Sequence, residues 1–167
     1  LRQQTGAGMM DCKKALTEAN GDFEAAIDIL RKKGQKIAAN RQDREAKEGY
    51  VYGKVTADGK TGVVVAVCCE TDFVAKNADF IKYGESILEL AVANKPASAD
   101  DLKNLKLGNQ TVGESLIEQM GKIGEKIDVV DYQLVNSDKV IVYNHPGNKL
   151  ASMIGFNSAP AGIDDAG

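Results

Sequence analysis

Tryptophan is absent from this 167-residue chain, histidine occurs once, and aromatic residues make up only 5% of the sequence. The single histidine, His145, excludes a catalytic or metal site built from several histidines. The 3 cysteines include the adjacent pair Cys68 and Cys69, which makes a poor disulfide framework and contains no Cys-X-X-Cys redox motif. We expect this pair to point to opposite faces of a buried strand in a reducing compartment, and we predict a cytoplasmic location.

Long apolar runs and an excess of basic residues are also missing. No run approaches the roughly 18 apolar residues of a membrane span, so we expect no membrane association. The net charge of −3 argues against a nucleic-acid binder, which usually needs a basic face. Seven basic residues lie between Arg31 and Lys47, but acidic residues interleave near the end of this stretch and no aromatic residue is available for base stacking. A solvated linker is therefore preferred over a nucleic-acid stripe.

A phosphate-binding loop and a catalytic constellation are likewise absent. Gly6-Ala7-Gly8 lacks the spacing and the lysine of a phosphate loop. No histidine base accompanies a candidate nucleophile. We therefore predict that the chain has no catalytic residues, no metal site and no cofactor, and that it does not bind nucleotide itself.

Residues 1–34 have the periodicity of a small helical domain. Asn20-Gly21 should end one helix, Asp22 should cap the next, and Gly34 should end that one. With one further short helix near the N-terminus, we predict a three-helix domain, followed by a polar linker with helical tendency over residues 35–48. The apolar residues that carry this helical spacing recur every three or four positions: Met9, Cys12, Leu16, Ala19, Phe23, Ala26, Ile27 and Leu30.

From residue 49 the periodicity becomes that of strands and helices in one α+β unit. Asp58-Gly59 predicts a hairpin whose two central residues both have positive φ, and the apolar strand 63–69 should be buried on both faces. A helix broken near Asn77 should follow, then an exposed connection over 95–110. A helix over 112–126 and two strands over 127–135 and 139–143 should complete a first core half at 49–142, an antiparallel sheet packed with helices.

The segment Thr71, Asp72, Phe73, Val74 lies where the apolar strand ends and a helix begins. A corner of this kind presents an acidic and an aromatic side chain from a rigid frame. A capping role for Asp72 and a core position for Phe73 are the alternative. For the residues alone the capping and core roles are the preferred interpretation, although neighbouring apolar residues can already fill the core, which leaves an exposed functional pair open.

A second block, Thr5-Gly6-Ala7-Gly8-Met9-Met10-Asp11-Cys12-Lys13-Lys14-Ala15-Leu16, precedes this corner. Together and in this order, the two blocks resemble the bacterial-type elongation factor Ts family. The resemblance implies a ubiquitin-associated-like N-terminal domain and a core of two similar halves, of which residues 143–167 would begin the second and leave it incomplete. It implies guanine nucleotide exchange on elongation factor Tu, in which Asp72 and Phe73, supported by Thr71 and Val74, disturb the Mg²⁺ and phosphate site of the partner.

Further partner contacts rest on the same resemblance. It implies docking by Arg2, Met9 and Met10, although adjacent methionines point to different sides of a helix, so one of them can lie in the core. Ile123 and His145 are two more implied contacts, for which the residues themselves favour a core position and a turn. The alternative function is an adaptor that binds a protein without nucleotide exchange.

Overall fold

The computed structural model describes residues 1–158, and in that range it has seven helices and seven strands. The predicted α+β class is confirmed. The helices are α1 (Arg2–Thr5), α2 (Met9–Glu18), α3 (Phe23–Asn40), α4 (Asp72–Ala75), α5 (Ala78–Asn94), α6 (Ala99–Asn104) and α7 (Val112–Ile123). The strands are β1 (Glu48–Val55), β2 (Thr61–Cys69), β3 (Lys106–Leu107), β4 (Gln110–Thr111), β5 (Asp128–Asn136), β6 (Lys139–Asn144) and β7 (Ala151–Phe156).

The N-terminal helices begin and end largely where local chemistry predicts. Asn20 and Gly21 have φ values of 50° and 84°, a left-handed conformation that terminates α2. Asp22 caps α3 by accepting a hydrogen bond from the Ala25 amide at 2.9 Å. Small apolar side chains form the interior of this unit: Ala7, Cys12, Ala15 and Ala26.

The predicted end of α3 at Gly34 is wrong, because the helix continues to Asn40. Gly34 is buried where α3 crosses α7, and a Cβ added there would lie 2.9 Å from the carbonyl oxygen of Ile117. A Cβ on Gly121 would in turn lie 2.8 Å from the Cα of Gly34. The glycine therefore permits two helix backbones to approach each other and does not terminate a helix.

The central sheet has the strand order β1-β2-β5 and is antiparallel throughout. As the middle strand, β2 is buried on both faces, which confirms the prediction from its apolar sequence. One face, with Val63, Val65, Val67 and Cys69 fully buried, belongs to the main core, to which α5 contributes Phe80 and Ile87.

The hairpin between β1 and β2 lies at the predicted position but has a different turn. The Gly59 amide donates to the Thr56 carbonyl at 2.9 Å, and Gly59 has a φ of 71°. Asp58 does not have positive φ, so the prediction of two left-handed residues is wrong. Its carboxylate accepts hydrogen bonds from the Thr56 hydroxyl and the Lys60 amide, which favours an ordinary turn followed by one left-handed glycine.

The connection over 95–110 is not simply exposed, which corrects the sequence prediction. Ser98 caps α6 by accepting from the Asp101 amide at 3.1 Å, and Leu102 of that helix is fully buried in the core. A buried hydrogen bond from the Tyr132 hydroxyl to the Pro96 carbonyl, 2.8 Å long, fixes the start of the connection. Sequence periodicity did not predict this helix, because it is short and has only one large apolar residue.

The antiparallel pair β6–β7 covers the second face of the central sheet. Added Cβ atoms on Gly53 and Gly62 would each lie 2.6 Å from a valine of β6, Val142 and Val140 respectively. The absence of side chains at these glycines therefore lets the pair pack directly on the sheet. The division of the chain into 1–34, 35–48, 49–142 and 143–167 stays a prediction, and residues 159–167 of its last segment lie outside the described range.

Candidate functional site

The corner between β2 and α4, residues 70–75, is built by a capped single turn of helix. Thr71 is the N-cap residue of α4, and its hydroxyl oxygen accepts from the Val74 amide at 3.5 Å. Asn77 then caps α5 by accepting from the Asp79 amide at 2.8 Å, so the predicted break near Asn77 is confirmed. Two consecutive caps force the chain to turn sharply between strand and long helix.

The side chains of α4 divide into an inner and an outer set. Ala75 is buried in the main core and Val74 packs against it. Phe73 points away and is 84% exposed, the highest exposure among the large apolar side chains of the described residues. The core position considered for Phe73 is therefore wrong, and its ring is available for contact with another molecule.

Asp72 lies beside Phe73 at the surface of the corner. Its carboxylate accepts a hydrogen bond from the Lys76 ammonium at 2.7 Å, and this bond holds the Asp72 pKa below its usual range. The positive charge of Lys149 acts in the same direction. An ionised carboxylate beside an exposed ring can meet a polar or cationic surface and an apolar pocket together.

Glu125, which follows the C-terminal end of α7, holds the backbone of the corner. Its carboxylate accepts from the Glu70 amide at 3.1 Å, the Thr71 amide at 3.0 Å and the Thr71 hydroxyl at 2.6 Å. Glu70 accepts in return from the Lys126 amide at 2.7 Å. Sequence reasoning missed both glutamates, because hydrogen bonds between residues more than fifty positions apart leave no periodic signal.

The three residues assigned to docking in the N-terminal domain are all exposed. Arg2 lies on α1. Met9 and Met10, at the start of α2, are 67% and 64% exposed. The alternative in which one of the methionines lies in the core is therefore wrong, and the pair forms an adaptable apolar surface.

His145 and Ile123 differ in accessibility. His145 is exposed in the turn between β6 and β7, where Nδ1 lies 2.9 Å from the Tyr143 hydroxyl. The same turn approaches β1, since the Val51 amide donates to the Asn148 carbonyl at 2.7 Å. Ile123 is partly buried against the core at the end of α7, as its residue type alone favours.

The structure brings part of this predicted set together and leaves the rest apart. Ile123 lies two residues before Glu125, which contacts the corner, and Lys149 of the β6–β7 turn acts electrostatically on Asp72. Within residues 1–158, the hydrogen bonds and ion pairs of the corner do not involve Arg2, Met9 or Met10. Arg2, Met9 and Met10 instead form an exposed N-terminal surface on α1 and α2.

Other candidate chemistry finds little support in the described part of the chain. Cys68 and Cys69 are buried on opposite faces of β2, as predicted, and burial raises the pKa of Cys69 to about 12. Across residues 1–158, no cluster of three or more His, Cys, Asp or Glu side chains is arranged to hold a metal ion. Nor does any helix in that range have both the length and the apolar character needed to cross a membrane.

N-terminal helices precede a sheet whose corner exposes an acidic and an aromatic side chain, an arrangement that suits contact with another molecule. The chain matches the family model described as elongation factor TS over residues 70–163. An elongation factor Ts of Amoebophilus asiaticus is 50% identical over 159 residues, which cover 95% of this chain and 57% of that protein. An elongation factor Ts of Bacteroides thetaiotaomicron is 49% identical over 166 residues, covering 99% of this chain and 49% of that protein.

The chain belongs to the elongation factor Ts family, which confirms the resemblance of the two sequence blocks. A third relative, an elongation factor Ts of Cytophaga hutchinsonii, is 51% identical over 159 residues that cover 95% of this chain and 57% of that protein. The chain therefore spans about half the length of the relatives it matches.

Proposed function

We propose that this chain promotes guanine nucleotide exchange on the GTPase elongation factor Tu during translation in the cytoplasm. The observation that carries the proposal is the 84% exposure of Phe73 on a corner whose backbone is held by several hydrogen bonds. A large apolar ring in a firmly held and exposed position has no role in folding stability. The chain's relatives are named elongation factor Ts, and the resemblance to that family implies elongation factor Tu as the partner.

The mechanism follows from the way in which GTPases hold their nucleotide. Backbone amides and a lysine cradle the phosphates, and Mg²⁺ bridges the phosphates to the protein. Insertion of Asp72 and Phe73 beside that site displaces the elements around the metal ion, so several charge-assisted contacts weaken together. Thr71 and Val74 set the direction of insertion by capping α4 and anchoring it in the core.

Burial of one aromatic ring sets an upper limit on what Phe73 contributes. Transfer of a phenylalanine side chain from water into an apolar pocket contributes about 1.5–3 kcal/mol. Each 1.4 kcal/mol of coupling loosens the nucleotide about tenfold, so one ring accounts for about one to two orders of magnitude. Larger acceleration requires additional binding energy from the docking surfaces.

Arg2, Met9 and Met10 form one such docking surface, and His145 and Ile123 add contacts nearer the corner. Exposed methionines suit an apolar partner surface because their flexible side chains adapt to its shape. In this role the chain binds no nucleotide, metal ion or nucleic acid itself and forms no covalent bond. It acts by stabilising the empty state of the partner.

Release of fluorescent GDP from preloaded elongation factor Tu tests the proposal. Addition of a small molar fraction of this chain should accelerate release of the whole bound population, since an exchange factor turns over. Binding without accelerated release would support an adaptor in its place. Failure to bind elongation factor Tu at all would contradict nucleotide exchange and leave the function implied by the family unsupported.

A further inference from the structure

The β2–α4 corner cannot hold its own shape. Its helix has only four residues, and one isolated turn of helix is unstable because nucleation fixes several dihedral angles for a single hydrogen bond. Phe73 contributes no packing, since its ring is exposed. The direction of the ring must therefore be imposed by contacts outside α4.

Glu125 supplies such contacts at the N-terminal end of α4. One carboxylate oxygen, Oε2, accepts from two consecutive backbone amides, those of Glu70 and Thr71, at 3.1 and 3.0 Å. The other oxygen, Oε1, accepts from the Thr71 hydroxyl at 2.6 Å. Three hydrogen bonds to one carboxylate fix both the position and the rotation of the residue that caps the helix.

Glu70 makes the reciprocal connection from the corner to the segment around α7 and α3. Its Oε1 accepts from the Lys126 amide at 2.7 Å and from the guanidinium of Arg41, just after α3. The Lys126 ammonium donates to the carbonyls of Gln42 and Arg44 at 2.7 and 2.8 Å. The Glu70 side chain is only 14% exposed, so these contacts are largely shielded from water.

We propose that Glu125 and Glu70 form a reciprocal carboxylate brace that positions Asp72 and Phe73 for insertion into the partner. The inference rests on the proposed function for its purpose, but the brace itself can be measured without the partner. Neither glutamate touches the partner in this scheme. Each acts through the backbone of residues 70–72, and its loss changes the orientation of the corner.

The test compares Glu125→Ala and Glu125→Gln with a control, Glu118→Ala. Glutamine can accept from both amides through its oxygen while its amide group donates to the Thr71 hydroxyl, so it should restore the brace. Glu118 lies on α7, is exposed, and contacts Gln110, so its removal changes the charge equally without touching the corner. Hydrogen exchange of residues 70–77, nucleotide release and affinity for empty elongation factor Tu are measured on each full-length variant.

For Glu125→Ala we expect at least about tenfold faster hydrogen exchange at residues 70–77 and about tenfold slower nucleotide release at saturation. The affinity for empty elongation factor Tu, to which the N-terminal surface contributes, should fall by much less than tenfold. Glu125→Gln and Glu118→Ala should stay within about twofold of the wild type. If Glu125→Ala does not fold, Glu125→Asp keeps the charge and shortens the reach, and the same changes are expected.

Unchanged hydrogen exchange at the corner in Glu125→Ala would overturn the brace, whatever the partner does. Faster hydrogen exchange at the corner together with a normal rate of nucleotide release would show that the brace does not position Asp72 and Phe73. The proposed function would still stand in that case. If the wild-type chain does not accelerate nucleotide release from elongation factor Tu, the proposed function is contradicted, and the positioning role is contradicted with it. A glutamine variant as defective as alanine would also contradict the geometry proposed here.

Discussion

At the scale of single residues, Phe73 departs most clearly from what folding favours. An exposed phenylalanine forgoes about 1.5–3 kcal/mol of burial energy. Its neighbours on the same turn do the opposite: Ala75 is buried and Val74 packs on the core. One turn of helix therefore separates the residues that stabilise the fold from the residue available for binding.

We expect Phe73→Ala and Asp72→Ala to slow nucleotide exchange about tenfold or more, because the inserted contacts are lost. Neither side chain is buried, so the thermal stability of both variants should stay close to that of the wild type. Thermal melting and GDP release are measured on the same preparations.

Phe80→Ala is the matched control, because its ring is 2% exposed in the core. This variant should lose about 3–5 kcal/mol of stability. Its exchange activity per folded molecule should stay close to that of the wild type. The assignment would be reversed if Phe73→Ala proved strongly destabilised and yet exchanged nucleotide normally per folded molecule.

Glu70 should make the stability of the protein sensitive to acid. The Lys126 amide and the Arg41 guanidinium hold the pKa of the Glu70 carboxyl below its usual range. A folded-state pKa below the unfolded one gives stability that is present above the unfolded value, about 4.3, and lost as pH falls through the folded value. Urea unfolding between pH 3 and pH 7 should therefore show a smaller acid-induced loss for Glu70→Gln than for the wild type. Equal pH profiles would contradict this contribution.

At the scale of elements, the crossing of α3 and α7 joins the N-terminal helices to the rest of the protein. Gly34 and Gly121 face each other at the crossing, where the backbones leave no space for a side chain. An ion pair from Arg31 to Glu114, 3.6 Å long, adds a partly exposed contact between the same helices. Surface pairs of this kind contribute little, so close packing is the main interaction here.

Gly34→Ala should destabilise the protein by about 1–3 kcal/mol, because the added methyl group clashes with the backbone of α7. The direction of the stability change is informative, because replacing glycine with alanine stabilises a free helix by about 1 kcal/mol. Gly113→Ala is the control, as its added Cβ would meet Lys103 at an ordinary 3.4 Å. Chemical denaturation should show a loss for the first variant and a small gain or no change for the second. Stabilisation by Gly34→Ala would refute the close crossing.

At the scale of the whole molecule, the described residues contain two interiors of different size. The small interior of the N-terminal helices is made mainly of alanine. The main core, within the described range, begins at Tyr50 and takes its buried residues from the sheet and the helices after it. The division of the chain before residue 49 stays a prediction, which a fragment can test.

We expect the fragment 49–167 to keep a cooperative fold and to bind elongation factor Tu more weakly than the full chain does. The main core survives the cut, whereas Arg2, Met9 and Met10 are lost. Exposure of the α7 face at Gly121 should lower the melting temperature. Circular dichroism and titration calorimetry measure the two effects, and loss of cooperative unfolding would show that both interiors form one unit.

The chain and guanine nucleotide should oppose each other on elongation factor Tu. Coupling between two ligands is reciprocal. If the corner lowers the affinity of elongation factor Tu for GDP by some factor, GDP must lower its affinity for this chain by the same factor. Mg²⁺ should strengthen the effect, because the corner acts beside the metal. Calorimetric titration of the partner with and without GDP and Mg²⁺ checks this, and equal affinities for empty and GDP-bound partner would exclude exchange by this route.

The sequence by itself determined the features that depend on near neighbours. Apolar periodicity and caps such as Asp22 and Asn77 placed most helices and strands, because these signals act within a few residues. The two sequence blocks identified the family. The corner at Asp72 and Phe73 was also predictable, since its residues adjoin a strand end.

Only the tertiary structure decided what distant segments do to one another. Gly34 resembles a helix terminator in sequence, yet it lies within α3 because a partner helix approaches there. Leu102 lies in an apparently polar connection, yet the core buries it. Glu125 becomes important because the fold brings its carboxylate to two amides more than fifty residues earlier in the chain. Such contacts depend on how helices and strands pack, and the pattern of residue types along the sequence does not show which distant groups meet.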